Sequence, residues 1–220
     1  MTMPFMTVEA LLTGKPMPFR DGEYSAIAKK PVEGPVRIGW LGLEGDAVAD
    51  KVFHGGWDKA IHLYPQDHYG WWRDRKPGHP LLDAPGAFGE NIASRGMTEE
   101  DLCLGDRFSL GSAILEASHG RQPCWKLDHR FGERDVMATI VKTARCGIYF
   151  RVIREGEAEG GAGARMELLE RPLPDWPIAR LFRLLIAGGH KSEPDAVRAL
   201  ANMPVLADAW RERAGKLANR

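Results

Sequence analysis

The chain has 220 residues, 44% apolar and 27% charged, with 30 Lys and Arg balanced by 30 Asp and Glu. This is ordinary globular composition for one large domain, or a main domain with an appendage. Zero net charge excludes a global field that draws the chain to nucleic acid or an anionic membrane, so any anion site has to be a local cluster.

No apolar run approaches the roughly 18 residues of a membrane span. The N-terminus MTMPFMTVEALLTGKPMPF lacks the basic and apolar blocks of a signal peptide. Cys103, Cys124 and Cys146 are odd in number and widely spaced, which speaks against a disulfide framework and rules out a four-cysteine metal site. A cytoplasmic protein is the expectation.

In chain order, VRIGW (36–40) alternates as a strand and GLEGD follows as a turn. KAIHLY (59–64) predicts a short apolar strand. Pro65 stands at a first-turn position, and QDHYGWWRDR predicts a helix. Residues 76–91 hold Pro and Gly in number and predict a long ordered loop. DRFSLGSAILEAS is a hairpin pattern turning near Leu110-Gly111. ERDVMATIVKTA (133–144) has helical spacing, and GIYFRVIREG and RMELLER return to strand. Short strands, few helices and many turns predict an α+β, mainly β fold: a β-barrel with helical insertions over 1–172. LPDWP (173–177) reads as a linker. Beyond it, 173–220 predicts a three-helix appendage, with Ser192 as an N-cap and Pro194 in a first turn. So small a bundle needs a surface to pack on, either the barrel or a second copy in a homodimer.

The densest chemistry is ILEASHGRQPCWKLDHRFG (114–132). Cys124 lies just beyond a strand end among His119, Arg121, Lys126 and His129. Thiolate is the reactive and ligating form of cysteine, and neighbouring cations favour it. A buried structural cysteine is the bland alternative. In VFHGGWDKAIHLY (52–64), Gly55-Gly56 permits positive φ or a close ligand approach, and such amides can cradle an anion. His54 precedes the pair, and Asp58-Lys59 follows. An ordinary Gly-Gly turn is the alternative there. His62, alternating with Ile61 and Leu63, reads as a satisfied barrel histidine; His68 and His79 read as solvent-facing. Glu90-Asn91, after a Gly-rich turn, could form a pocket rim. Cys103 reads as inert barrel wall, and Cys146 is open either way. GGAGAR (160–165) is not a dinucleotide loop and GGHKS (188–192) is not a Walker A loop. Neither a serine nucleophile elbow nor H-E-x-x-H occurs.

HGGWDKAIHLY, GAFGENI, DLCLGDRF and ILEASHGRQPCWKL stand in the order seen in MOSC domains, the C-terminal domain of molybdenum cofactor sulfurases. With SAIAKKPVEGPV near the start and three helices at the end, the chain most resembles the stand-alone YiiM-type group over nearly its whole length. The resemblance implies a MOSC-type β-barrel that binds the molybdenum cofactor, a molybdopterin carrying molybdenum and a phosphate. It implies that Cys124, in R-x-P-C, ligates the metal, with Arg121 as the arginine of that motif. Lys29, His54, Gly55, Gly56, Asp58, Lys59, Glu90 and Asn91 match the remaining cofactor-binding blocks. His119-Gly120 departs from the Gln-Pro or Gln-Gly of many relatives, and GGAGAR replaces a late Gly-Asp turn.

The implied activity is that of an oxidoreductase reducing N-hydroxylated compounds such as 6-N-hydroxylaminopurine, with Cys124, His54 and Lys29 as catalytic residues. No iron–sulfur, flavin or NAD site is expected in this chain, so electrons would come from separate redox proteins. Three other readings compete: a cofactor carrier or sulfur-transfer module, a metal-free thiol hydrolase, and an interaction protein working through its C-terminal helices.

Overall fold

The computed structural model describes residues 4–49 and 55–219. The first half carries strands β1 (Phe5–Thr13), β2 (Met17–Arg20), β3 (Glu23–Ser25), β4 (Lys30–Pro31), β5 (Pro35–Gly39), β6 (Gly42–Leu43) and β7 (Ile61–Pro65), then helix α1 (Asp67–Arg75) and strand β8 (Ile92–Arg95). The hairpin β9 (Arg107–Leu110) and β10 (Ala113–Gly120) follows, then α2 (Trp125–Phe131), α3 (Val136–Thr143), β11 (Ile148–Arg154), β12 (Gly156–Glu159) and β13 (Arg165–Glu170). The chain ends with α4 (Ile178–Leu185), α5 (Pro194–Ala201) and α6 (Asp208–Ala218).

Seven strands close a barrel in the order β13-β9-β10-β11-β7-β8-β1, and β1 returns to β13 with Phe5 opposite Glu167. Its pairings are antiparallel except β7 with β8, where Leu63 lies opposite Ile92. A parallel pair needs a crossover connection. Here that crossover is α1 and the loop after it, which carries Glu90 and Asn91 to the mouth of the barrel. Met6, Leu11, Ile61, Leu63, Phe108, Phe150 and Met166 fill the barrel. Each fully buried side chain of this kind contributes about 1.5–3 kcal/mol.

A second apolar cluster lies outside the barrel wall and joins Tyr69 and Trp72 of α1, Phe88, Leu127 and Phe131 of α2, and Ile140 of α3 to Leu181, Phe182, Leu200 and Trp210. The three C-terminal helices therefore pack on the barrel and share its outer core. Residues 173–177 are stitched down as well: Leu104 N–H donates to Trp176 O at 2.9 Å, and Ile178 N–H to Leu102 O at 2.8 Å. No helix among the described residues is long and apolar enough to cross a membrane.

Several local expectations change. Pro65 closes β7, and α1 begins two residues later with Gln66 as its N-cap. Glu193, not Ser192, caps α5, with Pro194 in its first turn. His68 is buried rather than solvent-facing, its Nε2 2.6 Å from Glu99 Oε2. His79 is half-buried, with Nε2 3.0 Å from Phe131 O. The strand β1, the β2–β3 hairpin and the short helix α2 carry no periodicity strong enough to announce them.

Candidate functional site

β10 ends at Gly120, where a Cβ would meet Cys146 Sγ at 2.9 Å, so only glycine lets the chain leave the barrel at this point. Arg121 N–H holds the exit by donating to Gly147 O at 3.0 Å. Three residues on, Cys124 is extended (φ −130°, ψ 167°), half-buried and outside any disulfide, and α2 begins behind it. Cys124 lines a cavity together with Lys29, Lys59, Asn91 and Arg121. These five positions run from residue 29 to residue 124 and come from four separate segments of the chain, so the barrel's closure assembles them.

Lys29 is held rather than loose. Its ammonium pairs with Asp46, with Nζ 2.6 Å from Oδ2, and the side chains are 8% and 10% exposed. The same carboxylate accepts Gly14 N–H at 2.7 Å and Asn91 Nδ2–H at 2.7 Å. Asn91 also accepts His62 N–H at 3.1 Å, which ties the cavity floor to β7. Burial pushes the Lys29 ammonium below its usual range, and Asp46 pulls it back. Asp46 was missed by sequence reasoning, since GLEGD announces a turn and nothing local announces a partner 17 residues away.

Glu90 does not line the cavity. It is wholly buried and accepts Gly86 N–H at 2.7 Å, Phe88 N–H at 3.1 Å and the Tyr69 hydroxyl at 2.9 Å. Arg121 donates to Phe88 O, and Arg130 to Ala87 O and Gly86 O, both at 2.9 Å. One carboxylate thus gathers the loop's amides while two guanidiniums gather its carbonyls, and the loop in turn positions Asn91.

His54 lies outside the described residues. Gly56 has φ 101°, the positive value its glycine permits, and starts the 3-10 turn Trp57–Lys59. Neither Gly55 nor Gly56 lines the cavity. Asp58 faces elsewhere: Oδ1 accepts Arg151 Nε–H at 2.6 Å, and Oδ2 accepts Asp208 N–H at 3.1 Å, which pins the start of α6. Of this segment, Lys59 reaches the cavity.

His62 is buried against the cavity, and neither ring nitrogen meets a partner with hydrogen-bond geometry. Burial, then Arg121, hold its pKa well below the ordinary value, while the nearby Gly89 and Cys146 backbones oppose the shift. Tyr149 lies between His62 and His119, each ring 5.1 Å away. Cys103 and Cys146 are buried, and burial raises both thiols. Among the described residues no group of three or more His, Cys, Asp or Glu could cage a bare metal ion.

The cavity has a volume of about 80 Å³. Outside it, sharing Lys59, Cys124, Lys126 and Tyr149, runs a groove of about 680 Å³. The groove is within the roughly 300–1,000 Å³ of small-molecule sites.

Residues 50–165 match the family model of the MOSC domain. The chain is similar to protein YiiM of Escherichia coli, 39% identical over 159 residues, covering 72% of this chain and 70% of that protein. It is 38% identical over 164 residues to a protein of Gibberella moniliformis named a reductase, covering 74% of this chain and 29% of that longer protein. The crystal structure of YiiM from Geobacillus stearothermophilus superposes with a TM-score of 0.79 at 34% identity, over 97% of this chain and 99% of that one. Fold, motif order and relatives agree: the chain belongs to the MOSC domain family, among the homologues of YiiM.

Proposed function

We propose that the chain binds the molybdenum cofactor at the Cys124 cavity and reduces N-hydroxylated compounds to amines. The observation that carries this reading is the convergence of one thiol with Lys29, Lys59, Arg121 and Asn91 on a single cavity. The donor set fits the group. With no cage for a bare ion among the described residues, a metal that arrives with its own sulfur ligands needs one soft donor, and Cys124 is placed to be it. Lysine and arginine suit the oxo and phosphate oxygens such a cofactor carries. The inner space takes only part of it, and the remainder extends into the adjoining groove.

When bound, the cofactor supplies the two-electron redox chemistry. The reaction balances as R–NH–OH with two electrons and two protons giving R–NH2 and water. Separate redox proteins supply the electrons. Lys29, lowered by burial and held at a fixed place by Asp46, delivers a proton to the departing hydroxyl. His54 is the other proton donor the motif suggests. Glu90 and Asp58 act at one remove, the first by shaping the Asn91 loop, the second by anchoring α6.

The test is turnover of 6-N-hydroxylaminopurine by molybdenum-loaded protein, with a chemically reduced viologen as electron source. Wild type should form the amine. Cys124→Ala should not, and Lys29→Gln should turn over about 100-fold or more slowly per bound molybdenum, the range of a lost general acid. Loaded wild type with no turnover refutes the reductase reading.

A further inference from the structure

The groove outside Cys124 has a composition unlike the rest of this uncharged chain. Among the described residues that line it, Lys59, Lys126, Arg213 and Lys216 oppose the single carboxylate of Glu23, a local excess of three positive charges. Its wall is backed by aromatic rings. Tyr149, half-buried, stacks on His119 at 5.1 Å with the planes 29° apart, and the buried His119 meets the buried Trp210 of α6 at 5.3 Å. Trp125, the residue after the thiol, is 37% exposed and adds an indole to the same groove. Burial keeps His119 neutral, so it contributes a ring rather than a charge.

The cations are placed by the fold, because α6 is fastened to the barrel at its start. Asp58 accepts Asp208 N–H, Arg151 Nη1–H donates to Val205 O at 2.8 Å, and Ala207 N–H donates to Ser118 O at 3.4 Å. Two of the four cations, Arg213 and Lys216, lie one turn apart on this helix. Arg213 is held by donating Nε–H to Leu185 O at 2.5 Å. An exposed indole beside clustered cations recognises a flat heterocycle that carries an anionic group: the ring stacks, and the charge meets lysine and arginine.

Resting on the proposed reduction of N-hydroxylated bases, we infer that the groove selects the substrate as a nucleoside monophosphate, with α6 reading the phosphate, rather than as the free base. The cofactor then takes the cavity and the Cys124 end of the groove, and the substrate takes the α6 end, lined by Trp210, Arg213 and Lys216.

Binding can be read without turnover. Isothermal titration of the protein with adenosine 5′-monophosphate, adenosine and inorganic phosphate isolates the ring and the charge. The monophosphate should bind about tenfold or more tighter than either fragment, since its charged hydrogen bonds add to the stacking of the ring. Lys216 is exposed, so Lys216→Glu should fold and abolish that preference. Trp125→Ala should weaken adenosine and monophosphate alike. Equal affinity for adenosine and the monophosphate, phosphate binding as tightly as the monophosphate, no binding at all, or a preference untouched by Lys216→Glu each overturns the inference. Protein that never holds molybdenum yet prefers the monophosphate would refute the redox reading and uphold the groove's specificity. Molybdenum-loaded protein without the preference would do the reverse.

Discussion

The barrel interior and the barrel mouth are built on opposite principles. The interior is dry and made of alternating side chains such as Met6, Leu63, Phe108 and Phe150, each buried among carbons. The mouth is equally buried but polar. Glu90 and Asn91 are wholly or nearly out of solvent, the Lys29 and Asp46 side chains almost so, and each has at least one partner distant in sequence. Interior residues hold the chain folded by the area they remove from water. The mouth residues do not stabilise in that way, because burying charge costs free energy that good pairing only offsets. The difference teaches that the mouth is shaped by what it must hold.

Substitutions sharpen the contrast. Phe108→Ala, in the interior, should cost about 3–5 kcal/mol in chemical denaturation, from lost burial plus the cavity left behind, while molybdenum content per folded molecule stays unchanged. Asp46→Ala, at the mouth, should cost about 3 kcal/mol, because it strands a buried ammonium and two donors. It should also lower cofactor content, which Phe108→Ala should not. Equal effects of the two variants on cofactor content would erase the distinction.

Acid should weaken the mouth first. His62 and His119 have folded-state pKa values depressed well below the ordinary one, burial being the main cause in each. Below about pH 6.5 the unfolded chain therefore takes up protons that the folded chain refuses. Stability is full above that pH and falls beneath it, at about 1.4 kcal/mol per pH unit for each histidine. Denaturation series between pH 7.5 and 5.5 should show this slope, and His119→Phe should halve it. A flat profile would mean that the two rings take up protons as readily folded as unfolded. The smallest effect is expected at the surface. Trp40 and Trp57 stack at 5.4 Å, each 45% exposed. Trp57→Ala should cost about 0.5–1.5 kcal/mol and leave the cofactor in place.

The interior was legible in the sequence because apolar runs and alternation are local properties: β7 as a short apolar run, and β5, the β9–β10 hairpin, β11 and β13 stand where their patterns place them. β1 was missed because FMTVEALLT loses alternation where both faces become buried. α2 was missed because its seven residues are too few for a helical period to show. At the mouth, motif order identified Cys124, Arg121, Lys29, Lys59 and Asn91, which the fold brings to one cavity. The same motifs include Glu90 and Asp58, whose side chains serve the loop and α6 instead. Lys29 with Asp46 and His68 with Glu99 could not be read, because such pairs exist only after the barrel closes.

The measurement closest to the central claim is the molybdenum and pterin content of protein purified without oxygen from a host that makes the cofactor, wild type beside Cys124→Ala. The account predicts near-stoichiometric molybdenum and pterin in the wild type, with molybdenum lost in the variant. Wild type that holds neither under those conditions, or a variant that keeps its full molybdenum, would contradict it.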